Sequence, residues 1–96
     1  MERINPEKIE KAIKLYVKQL GLEDGFKKYR MIKIFNEVVG DTVLAHVTKK
    51  YIQGRKLFIY LNSAVVRNEL SMNRSTIIKL INEKYGEYII EEIILN

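Results

Sequence analysis

Ninety-six residues with 17 Lys/Arg, 12 Asp/Glu, one His and no Cys carry a formal net charge of +5. A chain of this length forms one domain with a single modest core, and the lack of cysteine excludes a disulfide framework, a zinc ribbon and a thiol nucleophile. No apolar run approaches the roughly 18–20 residues of a membrane span, and Met1-Glu2-Arg3-Ile4-Asn5-Pro6 has no signal-peptide core, so a soluble cytoplasmic protein without membrane contact is expected.

Asn5-Pro6-Glu7 opens the first helix, with Asn as cap, Pro in a turn that needs no amide donor and an acid near the positive end of the dipole. Ile9, Ile13, Tyr16, Val17 and Leu20 recur at helical spacing, and Gly21 stops a helix of roughly 6–20. Lys11, Lys14 and Lys18, interleaved with Glu7 and Glu10, read as its solvated side. Leu22 to Gly25 connects to a second helix, with Asp24 the expected cap. Phe26, Tyr29, Ile32, Phe35 and Val39 repeat at three- and four-residue steps, which leaves Lys27, Lys28, Arg30 and Lys33 largely exposed as the densest basic cluster. Gly40, with Val43 and Leu44 beyond it, reads as a close-packing glycine rather than a stop.

The hairpin is the clearest local signal. Val47 to Gln53 and Lys56 to Leu61 are β-rich runs joined by Gly54-Arg55, and glycine at the first of two loop positions suits a type II′ turn. That turn pairs Gln53 with Lys56, Ile52 with Leu57, Tyr51 with Phe58 and Lys49 with Tyr60. Ile52, Leu57, Ile59 and Leu61 then share the core face, and Lys49, Tyr51, Phe58 and Tyr60 share the other. Ser63 caps a further helix carrying Val66, Leu70, Ile77, Ile78, Leu80, Ile81 and Tyr85 to Gly86, with a bend or a break left open at the polar Ser71-Met72-Asn73-Arg74-Ser75. The last strand, Tyr88 to Leu95, is apolar on both faces, which suits an internal or covered position. The expected fold is a two-layer α+β domain in the order α-α-β-β-α-β, its helices on one face of a small three-stranded sheet.

Charge is concentrated in the middle of the chain. Residues 25–80 hold eleven Lys/Arg against three Asp/Glu, whereas residues 1–24 are neutral and residues 81–96 carry −3. A +8 segment is the footprint expected of a polyanion-binding surface, the alternative being lysines that keep a small protein soluble. No catalytic constellation is present. His46 has no ligand-spaced partner and reads as packing or capping, Glu91 and Glu92 point to opposite faces of a strand, and the five glycines are isolated. Neither an enzyme nor a cofactor is expected. Tyr51, Phe58 and Tyr60, bordered by Lys49, Gln53 and Lys56, could form a platform for stacked bases. The competing reading has the same rings merely stabilising the hairpin or packing on a second copy.

Several segments together resemble the DciA family. They are Phe35-Asn36-Glu37-Val38-Val39-Gly40, Ala45-His46-Val47-Thr48, Gly54-Arg55-Lys56-Leu57-Phe58-Ile59-Tyr60-Leu61, Asn68-Glu69-Leu70-Ser71-Met72-Asn73-Arg74 and Leu80-Ile81-Asn82. Their order and spacing carry the resemblance, which covers about residues 26–95. It implies a KH-like domain over the whole chain and a role as loader or operator of the bacterial replicative helicase DnaB. Phe35 stands where the family usually has Trp, and Val66 where an aromatic is common. The glycine-flanked loop of RNA-binding KH domains is missing, so a different mode of nucleic-acid contact is implied. Many members continue into a long disordered arm beyond the last strand, which narrows the expectation here to binding helicase or DNA.

The resulting expectation is a non-enzymatic replication accessory protein that binds the replicative helicase. It would also bind DNA, single-stranded DNA included, or RNA without base specificity through Lys27, Lys28, Arg30, Lys33, Lys49, Lys50, Arg55, Lys56, Arg67 and Arg74. The alternatives are a protein-interaction module without a nucleic-acid role and an RNA-binding protein of translation or ribosome assembly.

Overall fold

The computed structural model describes residues 5–96, the Val17 side chain apart. Its elements are α1 (Pro6–Gln19), α2 (Glu23–Leu44), β1 (Val47–Gln53), β2 (Lys56–Leu61), α3 (Ala64–Met72), α4 (Arg74–Tyr85) and β3 (Glu92–Leu95). Asn5 caps α1 by accepting from the Glu7 amide at 2.9 Å, and Ser63 caps α3 by accepting from the Val66 amide at 3.3 Å. Both are the caps read from sequence. Asp24, by contrast, does not cap α2: Leu22 occupies that position with no side-chain bond, and Asp24 instead pairs with Lys28 at 3.2 Å within the first turn.

The sheet order is β1-β2-β3, with β1 antiparallel and β3 parallel to β2. The hairpin register is the one its turn dictates, Gln53 opposite Lys56 through Lys49 opposite Tyr60. Gly54 supplies the positive φ of 63° that this turn needs, and Arg55 stays on the negative side. A bulge between Val47 and Lys49 places Val47 opposite Leu61. Without it Val47 would join the outer face; with it, Val47 packs against the core.

The core lies between the helices and one face of the sheet. Phe35, Leu57, Ile59, Ile81 and Ile90 are fully buried, with Met31, Ile34, Ile52, Leu61, Leu70, Ile77 and Ile93 around them. In α2 the buried stripe runs through Met31, Ile34 and Phe35, so Tyr29, two residues and about 200° of helix from Met31, points to solvent at 64% exposure rather than into the core. The apolar residues of α1 are exposed as well, Ile9 at 43%, Ile13 at 46% and Tyr16 at 63%. A radius of gyration of 15.6 Å, against about 12–13 Å for a compact chain of this length, fits a helix that projects from the domain.

Two expectations from sequence are corrected, and the bend or break left open after the hairpin is decided. Gly40 is not a close-packing glycine: nothing lies within 4 Å of where its Cβ would stand, and its φ of 80° and ψ of 171° kink α2. The helix after the hairpin is broken into α3 and α4 at Asn73, whose side chain donates to the Glu69 carbonyl at 2.8 Å while its backbone leaves the helical region, giving the order α-α-β-β-α-α-β. The last strand begins only at Glu92 and is an edge strand, not an internal one.

The segment before β3 is held by Asn82 instead of a ladder. Asn82 Oδ1 accepts from the Ile89 and Ile90 amides, both at 2.9 Å, and its Nδ2 donates to the Ile90 carbonyl at 2.9 Å. The Glu91 amide then donates to the Arg55 carbonyl at 2.9 Å, docking the segment on the hairpin turn. Because Ile90 is fully buried, its amide has no alternative partner in water. Asn82→Ala should lower unfolding free energy by about 2–4 kcal/mol in a urea titration. A change below about 0.5 kcal/mol would mean that Ile90 burial alone holds the segment.

Candidate nucleic-acid interface

The alternation of β1 and β2 sorts every buried aliphatic onto the helix side and leaves Lys49, Tyr51, Gln53, Lys56, Phe58 and Tyr60 on the face without helices. Pairing of Phe58 with Ile94 and of Lys56 with Glu92 extends this outer face over β3. Tyr51 and Phe58 stack with centroids 4.8 Å apart and planes 5° from parallel; Tyr51 and Tyr60 lie 6.2 Å apart at 24°. Lys49 Nζ stands 5.3 Å from the Tyr51 centroid and 5.6 Å from that of Tyr60. Lys56 pairs with Glu92 at 3.6 Å. Since Tyr51 has a ring neighbour in both Phe58 and Tyr60, much of the aromatic surface is spent within the stack. The outer faces of Phe58 and Tyr60 are what it offers to a base.

The other basic residues fall into separate places. Lys27 and Arg30 line a cavity of about 380 Å³ between α1, the start of α2 and the end of α4, and Arg30 lies 4.7 Å over the Tyr85 ring. Lys27, Lys28 and Arg55 line a neighbouring cavity of about 500 Å³, with Arg55 5.7 Å over the Tyr88 ring. Lys50 points to the helix side, where its Nζ donates to Asn36 Oδ1 at 2.6 Å, so it does not join the outer face. Arg67 is half-buried on α3, Arg74 is exposed at the start of α4, and Lys33 is exposed on α2 but lines neither cavity. The ten basic residues singled out from sequence therefore do not form one patch.

Sequence reasoning missed Tyr85 and Tyr88 as partners of arginine. The signal was present as two tyrosines flanking Gly86-Glu87, where the helix ends in a left-handed glycine with φ of 95°. His46 sits at the end of α2 with Nδ1 3.1 Å from Asn62 Oδ1, and its carbonyl accepts from the Asn62 amide at 3.0 Å, which ties the helix end to the end of β2. Among the described residues no group of three His, Asp or Glu could hold a metal, and no helix is long and apolar enough to cross a membrane.

The family model described as Dna[CI] antecedent, DciA matches residues 8–95. The chain belongs to the DciA family. No curated protein matches it. The match begins inside α1, well before residue 26 where the resembling segments start, so the projecting helix belongs to this chain's DciA region.

One titration tests the outer face. The Tyr51 phenol is held above its ordinary range, chiefly by the hydrogen-bonding influence of the neighbouring Tyr60 side chain, with loss of hydration and charge repulsion from Tyr60 adding to the effect. Tyr60→Phe should lower the Tyr51 titration midpoint, followed through its ring carbon shifts by NMR; an unchanged midpoint would show that the two hydroxyls do not interact.

Proposed function

We propose that this DciA-family chain is a non-enzymatic accessory protein of DNA replication that binds the replicative helicase and, through its basic surfaces, nucleic acid without base specificity. Membership of the family over residues 8–95 carries the helicase half of the reading. The nucleic-acid half is supported by the meeting of cations and rings on two sides of the domain: Lys49 over Tyr51 and Tyr60 on the sheet, and Arg30 and Arg55 over Tyr85 and Tyr88 beside α2. The mechanism is electrostatic attraction of phosphates, with counterion release setting a steep salt dependence and aromatic or guanidinium planes adding contact to unpaired bases.

The protein-interaction reading is favoured by a different observation, the exposed Ile9, Ile13 and Tyr16 of α1. Such residues offer a partner protein an apolar helix face. The two readings are compatible if α1 meets the helicase while the basic surfaces meet the strand.

The test is a titration of the protein against labelled single-stranded DNA at several salt concentrations, followed by addition of purified replicative helicase. Affinity should fall with salt, with a logarithmic slope of about −0.7 for each phosphate contacted, and the DNA should stay bound when helicase joins. Absence of binding at low salt would reduce the +8 segment to a solubility feature and leave protein interaction as the function.

A further inference from the structure

The two cavities beside α2 share walls. Lys27 and Glu87 line both, so together they form one depression running from α1, across the first half of α2, to the hairpin turn at Gly54-Arg55. At its far end stand Lys14 and Lys18, which in sequence belong to an ordinary solvated helix face. Four residues apart, they lie one turn above the other on the side of α1 that faces the cavity. Six cations line the depression, Lys14, Lys18, Lys27, Lys28, Arg30 and Arg55, against three carboxylates, Glu23, Asp24 and Glu87. Among the described residues Lys18, Lys27, Arg30 and Arg55 form no ion pair.

Each cavity contains one arginine over one tyrosine, Arg30 on Tyr85 at 4.7 Å and Arg55 on Tyr88 at 5.7 Å. An arginine beside a tyrosine ring brings N–H donors for a phosphate next to an aromatic surface for an unpaired base. The sheet stack lacks this arrangement, because its rings face one another. The walls are also tied together in advance. Asn82 fixes residues 89–90, and the Glu91 amide bonds to the Arg55 carbonyl, so the segment carrying Glu87 and Tyr88 is positioned against the hairpin before any ligand arrives. Volumes of about 380 and 500 Å³ lie in the range of sites for small organic groups. The depression is thus two adjoining compartments of that size, with Lys27 and Glu87 lining both.

We infer that this depression is the path of single-stranded nucleic acid. Consecutive nucleotides occupy the two cavities, their bases beside the Arg30–Tyr85 and Arg55–Tyr88 pairs. Lys27 meets the phosphate between them, and Lys14 and Lys18 hold the strand where it passes α1. A duplex does not fit this role, since its base faces are already stacked and it presents only a backbone to a concave site. The three carboxylates lower the attraction for a bare polyanion and accept hydrogen bonds from exocyclic amino groups, so the groove favours bases over plain charge. The inference rests on the nucleic-acid reading above and adds to it α1 and the path along the two arginine–tyrosine pairs.

The experiment compares two charge reversals of equal size on one helix. Lys14→Glu with Lys18→Glu alters the groove; Lys8→Glu with Lys11→Glu alters α1 where it lines neither cavity. All four lysines are exposed, so folding, checked by circular dichroism, should survive both pairs. Fluorescence anisotropy with a labelled mixed-sequence single strand of about 15 nucleotides should show the groove pair binding at least about tenfold more weakly, its salt slope smaller by about 1.4 for two lost phosphate contacts. The Lys8, Lys11 pair should stay within about threefold of the wild type, as expected of charges that only add to the general field. Wild-type binding that both pairs weaken equally, or that neither weakens, would overturn the groove while leaving nucleic-acid binding in place. Failure of the wild-type protein to bind would overturn both.

Discussion

A two-residue turn decides which side of this protein faces outward. Gly54 takes the positive φ that lets β1 and β2 pair with Gln53 opposite Lys56, and because side chains alternate with a period of two, a slip of one residue would exchange the faces completely. The aliphatic set Ile52, Leu57, Ile59 and Leu61 would then meet water, and Tyr51, Phe58 and Tyr60 would meet α2 and α4. The same turn sets the position of Arg55, whose carbonyl receives the Glu91 amide and whose guanidinium covers Tyr88. Register, the docking of the C-terminal segment and one wall of the groove therefore share a single backbone cause.

From that constraint the rest of the domain follows in steps. β2 is the central strand, and the fully buried Leu57 and Ile59 on it gather Phe35 from α2, Ile81 from α4 and Ile90 from the segment before β3. With so short a β3, the parallel pairing leaves residues 88–91 without a ladder, and Asn82 provides hydrogen bonds in its place. A polar side chain on α4 thus performs the work of a neighbouring strand, and it does so next to the tyrosines that flank Gly86. The stability of the fold and the shape of the proposed binding surface meet in that one residue.

The hairpin, both side-chain caps and the family resemblance were legible in the sequence because each depends on local geometry or on fixed spacing: Asn5 and Ser63 bond amides two or three residues away, and the turn acts within four residues. What was not legible depends on long-range packing. Helical periodicity placed Ile9, Ile13 and Tyr16 on a common stripe, but periodicity cannot say whether anything covers that stripe, and here little does. Tyr29 fits the same period as Phe35 yet lies off the buried arc set by Met31 and Ile34. Gly40 shows the limit at a single residue, since close packing and a positive φ both select glycine and only the backbone distinguishes them. The basic residues make the same point: composition gave a +8 segment, whereas the fold turns Lys50 inward to Asn36 and recruits Lys14 and Lys18 from the neutral first quarter of the chain.

The proposed binding surface lies on the side of the domain bounded by α1, the first half of α2 and the hairpin turn. Chemical-shift mapping of the isotopically labelled protein during titration with a single-stranded oligonucleotide tests it most directly. The largest perturbations should fall on Lys14, Lys18, Lys27, Arg30, Arg55 and Tyr88, with the exposed face of α3 unmoved. Perturbations centred on Arg67 and Arg74, or confined to the outer face of the sheet, would contradict it.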